Sequence, residues 1–408
     1  MFLQSLPLVF VLSGVTLYTV LAGADLGAGF WQLFAGRGEH AEQIREHAHE
    51  SMAPVWEANH VWLIFVLTVF WTAYPSAFGA IFSTLAVPLF IAVIGIVFRG
   101  AAYALRAGAS SLRESSAIDT IFSLSSILTP FALGATVGGI ASGRVPPRGT
   151  GDLWSSWLNP TSIFVGVLAV ASCAYLAALY LAADAAHANE DVLESEFRGR
   201  ALVAGIVAGA IAFAGLFVVN SDHHPLVRSL LTDDALVAVI VSALAGFATL
   251  LLVYRRRFEA ARYSGALAVA GVIAGYALAQ WPTILPGLTV HQAAAGHDTL
   301  VWVVVAVLVG GVILFPSLGL LFRLAVTGRF HAAEALPAEH APARPLRFRE
   351  GLLVRLAVAF VIAGFGLLTV ADARWAHVIG VVCLFAFIVS AFVAIVPRTL
   401  ADDPAGQP

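Results

Sequence analysis

The sequence predicts an all-α, multi-pass membrane protein, and three observations support this fold class. Of the 408 residues, 60% are hydrophobic and only 12% are charged, whereas an average soluble domain has about 25% charged residues. The mean hydropathy is +0.88. Apolar runs of about 20 residues, long enough to cross a bilayer, recur along the chain. Too little polar surface remains to cover a soluble protein of this size, so a soluble enzyme is excluded.

About 11 transmembrane helices are predicted from these runs. The first run lacks a basic n-region and continues past Asp25, so we interpret it as a helix rather than a cleaved signal peptide. The predicted spans are 6–33, 54–73, 77–106, 117–141, 160–183, 200–219, 235–254, 263–281, 299–326, 352–371 and 376–396.

Two polar stretches divide the predicted helices into groups. Residues 142–159 form an outer loop rich in Gly and Pro, and residues 328–350, with three prolines, form an inner linker. The organisation is therefore four helices, five helices and an additional C-terminal two-helix hairpin. The corresponding regions are 1–145, 155–330, the inner linker 331–350 and the extra hairpin 351–398.

The distribution of arginine predicts that the N-terminus lies outside. With that orientation, 17 of the 22 arginines fall in inner loops or the C-terminus and four in outer loops, with Arg99 left inside a helix. Positive charge accumulates on the cytoplasmic side of membrane proteins. A missed or additional helix would destroy this asymmetry, so it also supports the number of spans.

Charge and residue types exclude several functional classes. The net charge of −3 gives no basic face for nucleic acid. All basic residues are Arg, so neither a P-loop, which needs Lys, nor Schiff-base chemistry is available. Cys173 and Cys383 lie in separate apolar runs and are interpreted as buried thiols. No metal site is predicted, because the loop histidines have no ligand spacing that would hold an ion other than adventitiously.

Three ionisable residues within predicted spans are the candidate functional residues: Asp25, Glu57 and His60. Such groups are costly in a bilayer, about 2.5–3.5 kcal/mol on insertion scales, and often mark proton or ion paths. Asp25 lies roughly 13 Å and Glu57 roughly 9 Å from the inner ends of their helices. The two carboxyls are therefore expected at similar depth, and His60 shares a helix face with Glu57.

A proton path and a purely structural role both remain open for these residues. Buried, neighbouring carboxyls suit proton uptake and release, and a histidine three residues away can relay a proton. Alternatively, Asp25 and Glu57 hydrogen-bond across the helix interface and stabilise packing. For Arg99, snorkelling to the inner surface is the first interpretation, and a haem propionate or an acidic partner the second.

Several motifs resemble subunit II of the cytochrome bd-type quinol oxidases. Residues 54–63, P-V-W-E-A-N-H-V-W-L, are similar to the family's usual P-V-W-D-G-N-E-V-W-L. Residues 24–29, A-D-L-G-A-G, are similar to its F-D-L-G-x-G, and 98–100 with Arg106 to its third-helix R-G…R pattern. The match continues in order to about residue 330. It includes Asp119 with Phe122, and then the Q-W-P…L-T…T-L residues from Gln280 onward.

This resemblance implies a terminal oxidase of the bacterial cytoplasmic (inner) membrane that oxidises quinol and reduces oxygen to water. It implies two four-helix bundles plus a peripheral helix, packed against a subunit I that carries haem b and haem d. Subunit II would bind no haem and would give an acid, by motif position Glu57, to a proton path from the cytoplasm. Some members of the family also hold a structural quinone in this subunit. Trp56, Asn59 and Arg99 are candidates for cofactor contact near the subunit interface.

The sequence departs from the family pattern at three places. Glu57 replaces the usual Asp and keeps the carboxyl, and His60 replaces Glu or Gln, which leaves a proton relay or a haem contact open. The hairpin 351–398 is additional, and contact with lipid or a small accessory subunit is expected for it. Two other classes remain as alternatives: a proton-coupled secondary transporter, although no inverted repeat is visible, and a purely structural membrane anchor.

Overall fold

The fold is all-α, as predicted from composition. The computed structural model describes residues 2–36, 38–106, 112–222, 224–326, 348–370 and 373–395. Among these residues, eight helices are long and apolar enough to cross a membrane, or nine if one bent pair forms a single span. The multi-pass membrane architecture is therefore confirmed, and the total of eleven spans stays a prediction.

The helices follow one another with short connections, and the only strands among the described residues form one small hairpin. In chain order the elements are α1 Phe2–Leu33, α2 Glu39–Ala73, α3 Pro75–Thr84, α4 Ala86–Arg106, α5 Leu112–Ala141, α6 Pro160–His187, α7 Asp191–Asp222, α8 His224–Leu230, α9 Asp233–Tyr254, α10 Phe258–Gln280, β1 Thr283–Leu285, β2 Leu288–Thr289, α11 Val290–Ala293, α12 His297–Val326, α13 Phe348–Val370 and α14 Arg374–Ile395.

The predicted third span, 77–106, is wrong as a single helix. The structure divides it at Leu85 into α3 and α4, and α3 is bent by 120° from the preceding α2 segment at Tyr74. Pro75 occupies the first turn of α3, where its missing N–H is tolerated. Pro88 follows the second break, and a proline there has no N–H to donate to the carbonyl of Thr84. Both prolines thus favour helix starts over one continuous span.

The inner segment before the second span is helical rather than a solvated loop. α2 begins at Glu39 instead of the predicted 54, and its first turns pack on the inner ends of α6 and α7. Ala41, Ile44 and Ala48 are buried there. Their spacing of three and four residues is that of one helix face, which is why the segment continues the helix.

The chain divides into two compact units, Met1–Phe315 and Pro316–Pro408. The first unit has its largest core around α6, where residues 176–179 are almost fully buried against α1, α7 and α10. Gly27 of α1 lies against the backbone of Cys173 on α6, and Gly134 of α5 lies against Gly166. Small residues allow such close approach between membrane helices. In the second unit, α13 and α14 pack against each other at Gly364.

A second core of the first unit lies under the predicted outer loops. The β1–β2 hairpin and α11 pack on α3, and Leu85, Leu285 and Leu300 are fully buried there. Trp154 in the 142–159 loop is exposed, as expected for an interfacial residue. Trp157 is instead buried within the chain, so only Trp154 of these two tryptophans is at the surface.

Candidate functional site

A buried ion pair joins α1 to α4 in the first unit. Arg99 Nη2 lies 2.6 Å from Asp25 Oδ1 and also donates to the Asp25 backbone carbonyl at 2.9 Å. The side chains are 1% and 4% exposed. The snorkelling expectation for Arg99 is therefore wrong, because the guanidinium turns inward to an acidic partner.

Two residues of α5 complete the environment of Arg99. The Ser126 hydroxyl accepts a hydrogen bond from Arg99 Nη1 and donates to the Phe122 carbonyl at 2.5 Å. The Phe122 ring lies 4.1 Å from the guanidinium carbon, within the range of a cation–π contact. Gly29 of α1 lies against Ser126 and Arg99, and a β-carbon there would overlap the Ser126 hydroxyl. The pair is therefore held by three helices.

The register of α1 and α2 brings the backbone positions of Asp25 and Glu57 to similar depth. A β-carbon at Gly14 would lie 2.7 Å from Val66 Cγ2, and further inward Tyr18 and Ala22 pack with Trp62 and Leu63. The two helices run in opposite directions. The part of the α2 backbone at the depth of Asp25 therefore lies within about one turn of Glu57. The side chains of Trp56 and Glu57 lie outside the described residues.

The other predicted residues on α2 are within the described part of the chain. Asn59 is completely buried, and neither atom of its carboxamide has a hydrogen-bond partner among the described residues. His60 is half-buried. Asn59 lies one turn inward of Trp62 and Leu63, so it shares the α2 face that packs on α1.

Sequence reasoning missed Ser126 and Gln32. Gln32 of α1 is 3% exposed, and its carboxamide is unpaired among the described residues. Gln32 follows Asp25 by seven residues and Gly29 by three, so all three lie on one face of α1. A polar residue seven positions from a buried acid was the available signal. Ser126 carried none, since hydroxyls recur all along α5.

Histidine side chains at the inner ends of the helices make contacts within the chain. His40 Nε2 lies 2.5 Å from Glu196 Oε2 on α7, and His47 Nε2 lies 3.1 Å from the Leu181 carbonyl on α6. These contacts fix the inner part of α2. Within the described residues, no three His, Cys, Asp or Glu side chains come close enough to hold a metal ion.

Two helix interfaces of the first unit, α1–α6 and α5–α6, are too close to hold a haem. A haem needs a slot as wide as its ring between helices and an axial ligand such as His, Met or Cys. The α1–α6 and α5–α6 contacts are closed instead, at Gly27 against Cys173 and at Gly134 against Gly166. Neither interface leaves space for a planar cofactor.

Comparison with known proteins identifies the family of this chain. Residues 3–325 match the family model described as cytochrome bd terminal oxidase subunit II. The chain belongs to this family. The match contains both the Asp25–Arg99 pair and the 54–63 motif, and it confirms the resemblance drawn from the sequence.

Individual relatives agree with the assignment. Cytochrome bd-I ubiquinol oxidase subunit 2 of Escherichia coli K12 is 26% identical over 323 residues, which are 70% of this chain and 82% of the relative. The putative cytochrome bd menaquinol oxidase subunit II of Bacillus subtilis 168 is 22% identical over 244 residues, 58% of this chain and 69% of the relative.

A solved structure shares the fold. A chain of the bd oxidase from Geobacillus thermodenitrificans superposes with a TM-score of 0.68 at 23% identity, covering 80% of this chain and 99% of that chain.

Membership of the cytochrome bd subunit II family determines the general class of the protein. It is a multi-pass membrane subunit of a terminal oxidase, which is an oxidoreductase complex of the respiratory chain. A subunit II implies a subunit I as its partner, and the family implies haem in the complex.

Proposed function

We propose that this chain is the haem-free subunit of a quinol oxidase in the bacterial cytoplasmic membrane, where it packs against a haem-bearing subunit I. The complex oxidises quinol to quinone and reduces oxygen to water. In this proposal the chain supplies part of the proton-uptake path from the cytoplasm, with Glu57 as the proton carrier and Asp25 and His60 assisting. The match to the family over residues 3–325 carries the oxidase assignment.

The Asp25–Arg99 pair supports a division of roles between the two acids. Arg99 compensates the charge of Asp25 at 2.6 Å, and Ser126 and Phe122 hold Arg99 in place. The Asp25 carboxylate is therefore already engaged in a buried ion pair with Arg99. We therefore assign proton exchange to Glu57 and a fixed, orienting charge to Asp25.

His60 is proposed as a relay between Glu57 and the neighbouring subunit. It follows Glu57 by three residues on α2, and an imidazole has one nitrogen that can accept a proton and one that can donate it. The half-buried position of the imidazole is compatible with transfer towards a protein partner. A haem contact through His60 is the second reading, and it would appear as an axial-ligand change in the haem spectrum of a His60→Ala variant.

Haem b and haem d are assigned to subunit I, and the closed α1–α6 and α5–α6 interfaces support this assignment. Arg99 is only 1% exposed, so its pairing with Asp25 argues against contact with a cofactor bound on the partner. The proposal also includes a structural quinone bound to this subunit. Lipid or a small accessory subunit is proposed to contact the hairpin formed by α13 and α14.

Glu57→Gln in the complete oxidase complex tests the proton role. Quinol oxidase turnover should fall by about 10²-fold, the usual scale for loss of a proton-transfer group, while the haem absorption spectrum is unchanged. Glu42→Gln is the matched control, because Glu42 lies on the same helix with an exposed side chain. Unchanged turnover in Glu57→Gln would remove Glu57 from the path and favour a purely structural subunit.

Purification distinguishes the oxidase from the transporter alternative. The proposal expects a haem-bearing partner with d-type absorbance to copurify with this chain. A haem-free protein that moves a solute into vesicles together with protons would contradict the oxidase and support a proton-coupled secondary transporter.

A further inference from the structure

Three buried polar groups, one each on α1, α2 and α4, surround the inner half of α1 and have no hydrogen-bond partner among the described residues. They are the carboxamide of Gln32, the carboxamide of Asn59 and the Nε of Arg99. Gln32 and Asn59 are 3% and 0% exposed. Unpaired polar groups in an apolar interior carry a free-energy penalty, so native structures pair nearly all of them with protein or ordered water.

The three groups lie along one face of α1. Gly14, Tyr18, Ala22, Asp25, Gly29 and Gln32 follow one another by three or four residues and therefore share this face. Its outer part packs on α2 at Trp62 and Leu63, one turn from Asn59. Its inner part meets Arg99 and Ser126. Asn59 and Gln32 are thus on opposite sides of Asp25 along the helix.

The α5 side of this interface is also polar. Asp119, Ser123 and Ser126 follow one another by four and three residues on α5, so they share a face. Ser126 lies against Gly29, and α5 runs opposite to α1, which brings Ser123 level with Gln32. Ser123 is 3% exposed. An interface that is both buried and polar on two sides is where ordered water binds.

We propose that ordered water molecules occupy this interface between Gln32 and Asn59 and bind the Asp25–Arg99 pair from both sides. One water near Gln32 joins its carboxamide to Arg99 Nε, and another joins the Asn59 carboxamide to the outer side of the Asp25–Arg99 pair. Gln32 then acts as a positioning residue: its own position on α1 is roughly 10 Å inward of Asp25, it touches no reacting group, and it holds the water on the inner side of the Asp25–Arg99 pair. The link to proton uptake, though not the water itself, rests on the proposed function.

Direct observation of water is the first test. In a structure of the intact oxidase complex at a resolution that shows ordered water, density is expected within hydrogen-bonding distance of the Gln32 carboxamide and of Arg99 Nε. A dry interface in which protein atoms fill this space would overturn the proposal. That outcome would leave the assignment of Glu57 untouched.

A variant series in the complete complex is the second test. Gln32→Leu keeps the approximate volume and removes both polar atoms, so turnover should fall roughly tenfold, the scale of one lost bridging water. The loss should be smaller at acidic than at alkaline pH, because proton supply becomes limiting as protons become scarce. Gln32→Asn should retain more turnover than Gln32→Leu, because it keeps a carboxamide. If Gln32 were purely structural, the loss of turnover in Gln32→Leu would not depend on pH.

The control is Leu33→Ala, since Leu33 is the next residue on α1 and is 40% exposed. It should leave both turnover and its pH profile unchanged. If Glu57→Gln abolishes turnover and Gln32→Leu retains it at every pH, the water path through Gln32 is wrong and the proposed function stands. If Gln32→Leu shows the pH-dependent loss and Glu57→Gln has no effect, the hydrated interface stands and the role of Glu57 falls.

Discussion

Gly27 of α1 lies so close to the backbone carbonyl of Cys173 on α6 that a β-carbon at position 27 would overlap it. The neighbouring Trp31 donates its indole N–H to the Ala174 carbonyl at 2.8 Å, one turn further along the same contact. A backbone neighbour cannot move aside as a side-chain end can. This contact therefore sets the distance between α1 and α6.

Gly27→Ala should destabilise the protein. The added methyl group must separate α1 from α6, and such overpacking typically costs about 1–3 kcal/mol. Thermal unfolding of the purified complex in detergent measures the loss. Gly209→Ala on α7 is the control, because no atom of the described residues lies within 4 Å of a β-carbon there. Equal stability of the two variants would contradict the close contact.

Arg99→Met should destabilise the protein more than the double variant Arg99→Met/Asp25→Leu. Removing one partner leaves a buried, uncompensated charge, which costs about 3–5 kcal/mol, whereas replacing both partners with apolar residues costs less. The unfolding free energies of the single and double variants give the coupling between the two positions. Additive effects would mean that the pair is not formed in the membrane.

Glu57→Asp should retain turnover within about threefold of the parent, because the proton-transfer function needs a carboxyl rather than a particular chain length. Asp is also the usual residue at this position of the signature motif. Oxygen consumption with quinol as electron donor provides the measurement. Turnover as low as in Glu57→Gln would show that the longer side chain is itself required.

Asp222→Asn should loosen the outer end of the first unit. Arg144 donates to both Asp222 oxygens, at 2.8 and 2.5 Å, and the Thr161 hydroxyl donates to Oδ2 at 2.6 Å. Losing the charge from this cluster should cost about 1–2 kcal/mol and increase proteolysis of the 142–159 loop. Arg148→Ala is the control, since Arg148 is an exposed arginine of the same loop. Faster cleavage in Arg148→Ala than in Asp222→Asn would contradict this role.

The turn at Asp152 should lose its protection only in acid. Its carboxylate accepts the backbone N–H groups of Trp154 and Ser155 at 2.9 and 2.6 Å, and these bonds lower the pKa of Asp152. A lowered pKa contributes stability above the ordinary Asp value of about 3.9, which disappears as the pH falls through the folded-state value. Amide exchange at Ser155 should therefore differ between the parent and Asp152→Ala at neutral pH and converge in acid. A constant difference at all pH values would refute the assignment.

The sequence alone revealed the membrane fold and most of the unusual polar residues, but not how those residues pair. Asp25 and Arg99 each stood out as a charge inside an apolar run. Their contact joins positions 74 residues apart, and periodicity within a helix carries no information about such a pair. Gln32 was overlooked because it is neutral, although its spacing from Asp25 placed it on the same helix face.

Helix boundaries were predicted less well than helix positions. The start of α2 at Glu39 was hidden by charged residues, because hydropathy detects the apolar part of a helix and not its polar extension. The break at Leu85 was hidden for the opposite reason, since apolar residues continue on both sides of it. In each case a local feature of the sequence indicates the boundary. For α2 it is the spacing of apolar residues from Ala41 to Ala48, and for the break at Leu85 it is Pro88.

α1 is in contact on two opposite sides, and this restricts how the region can change during turnover. Gly27 and Trp31 meet the α6 backbone, whereas Asp25 and Gly29 meet Arg99 and Ser126. A sliding or rotating α1 would have to break both sets of contacts at once. Contacts on both sides of α1 therefore favour rearrangement by side-chain rotation over movement of the α1 backbone.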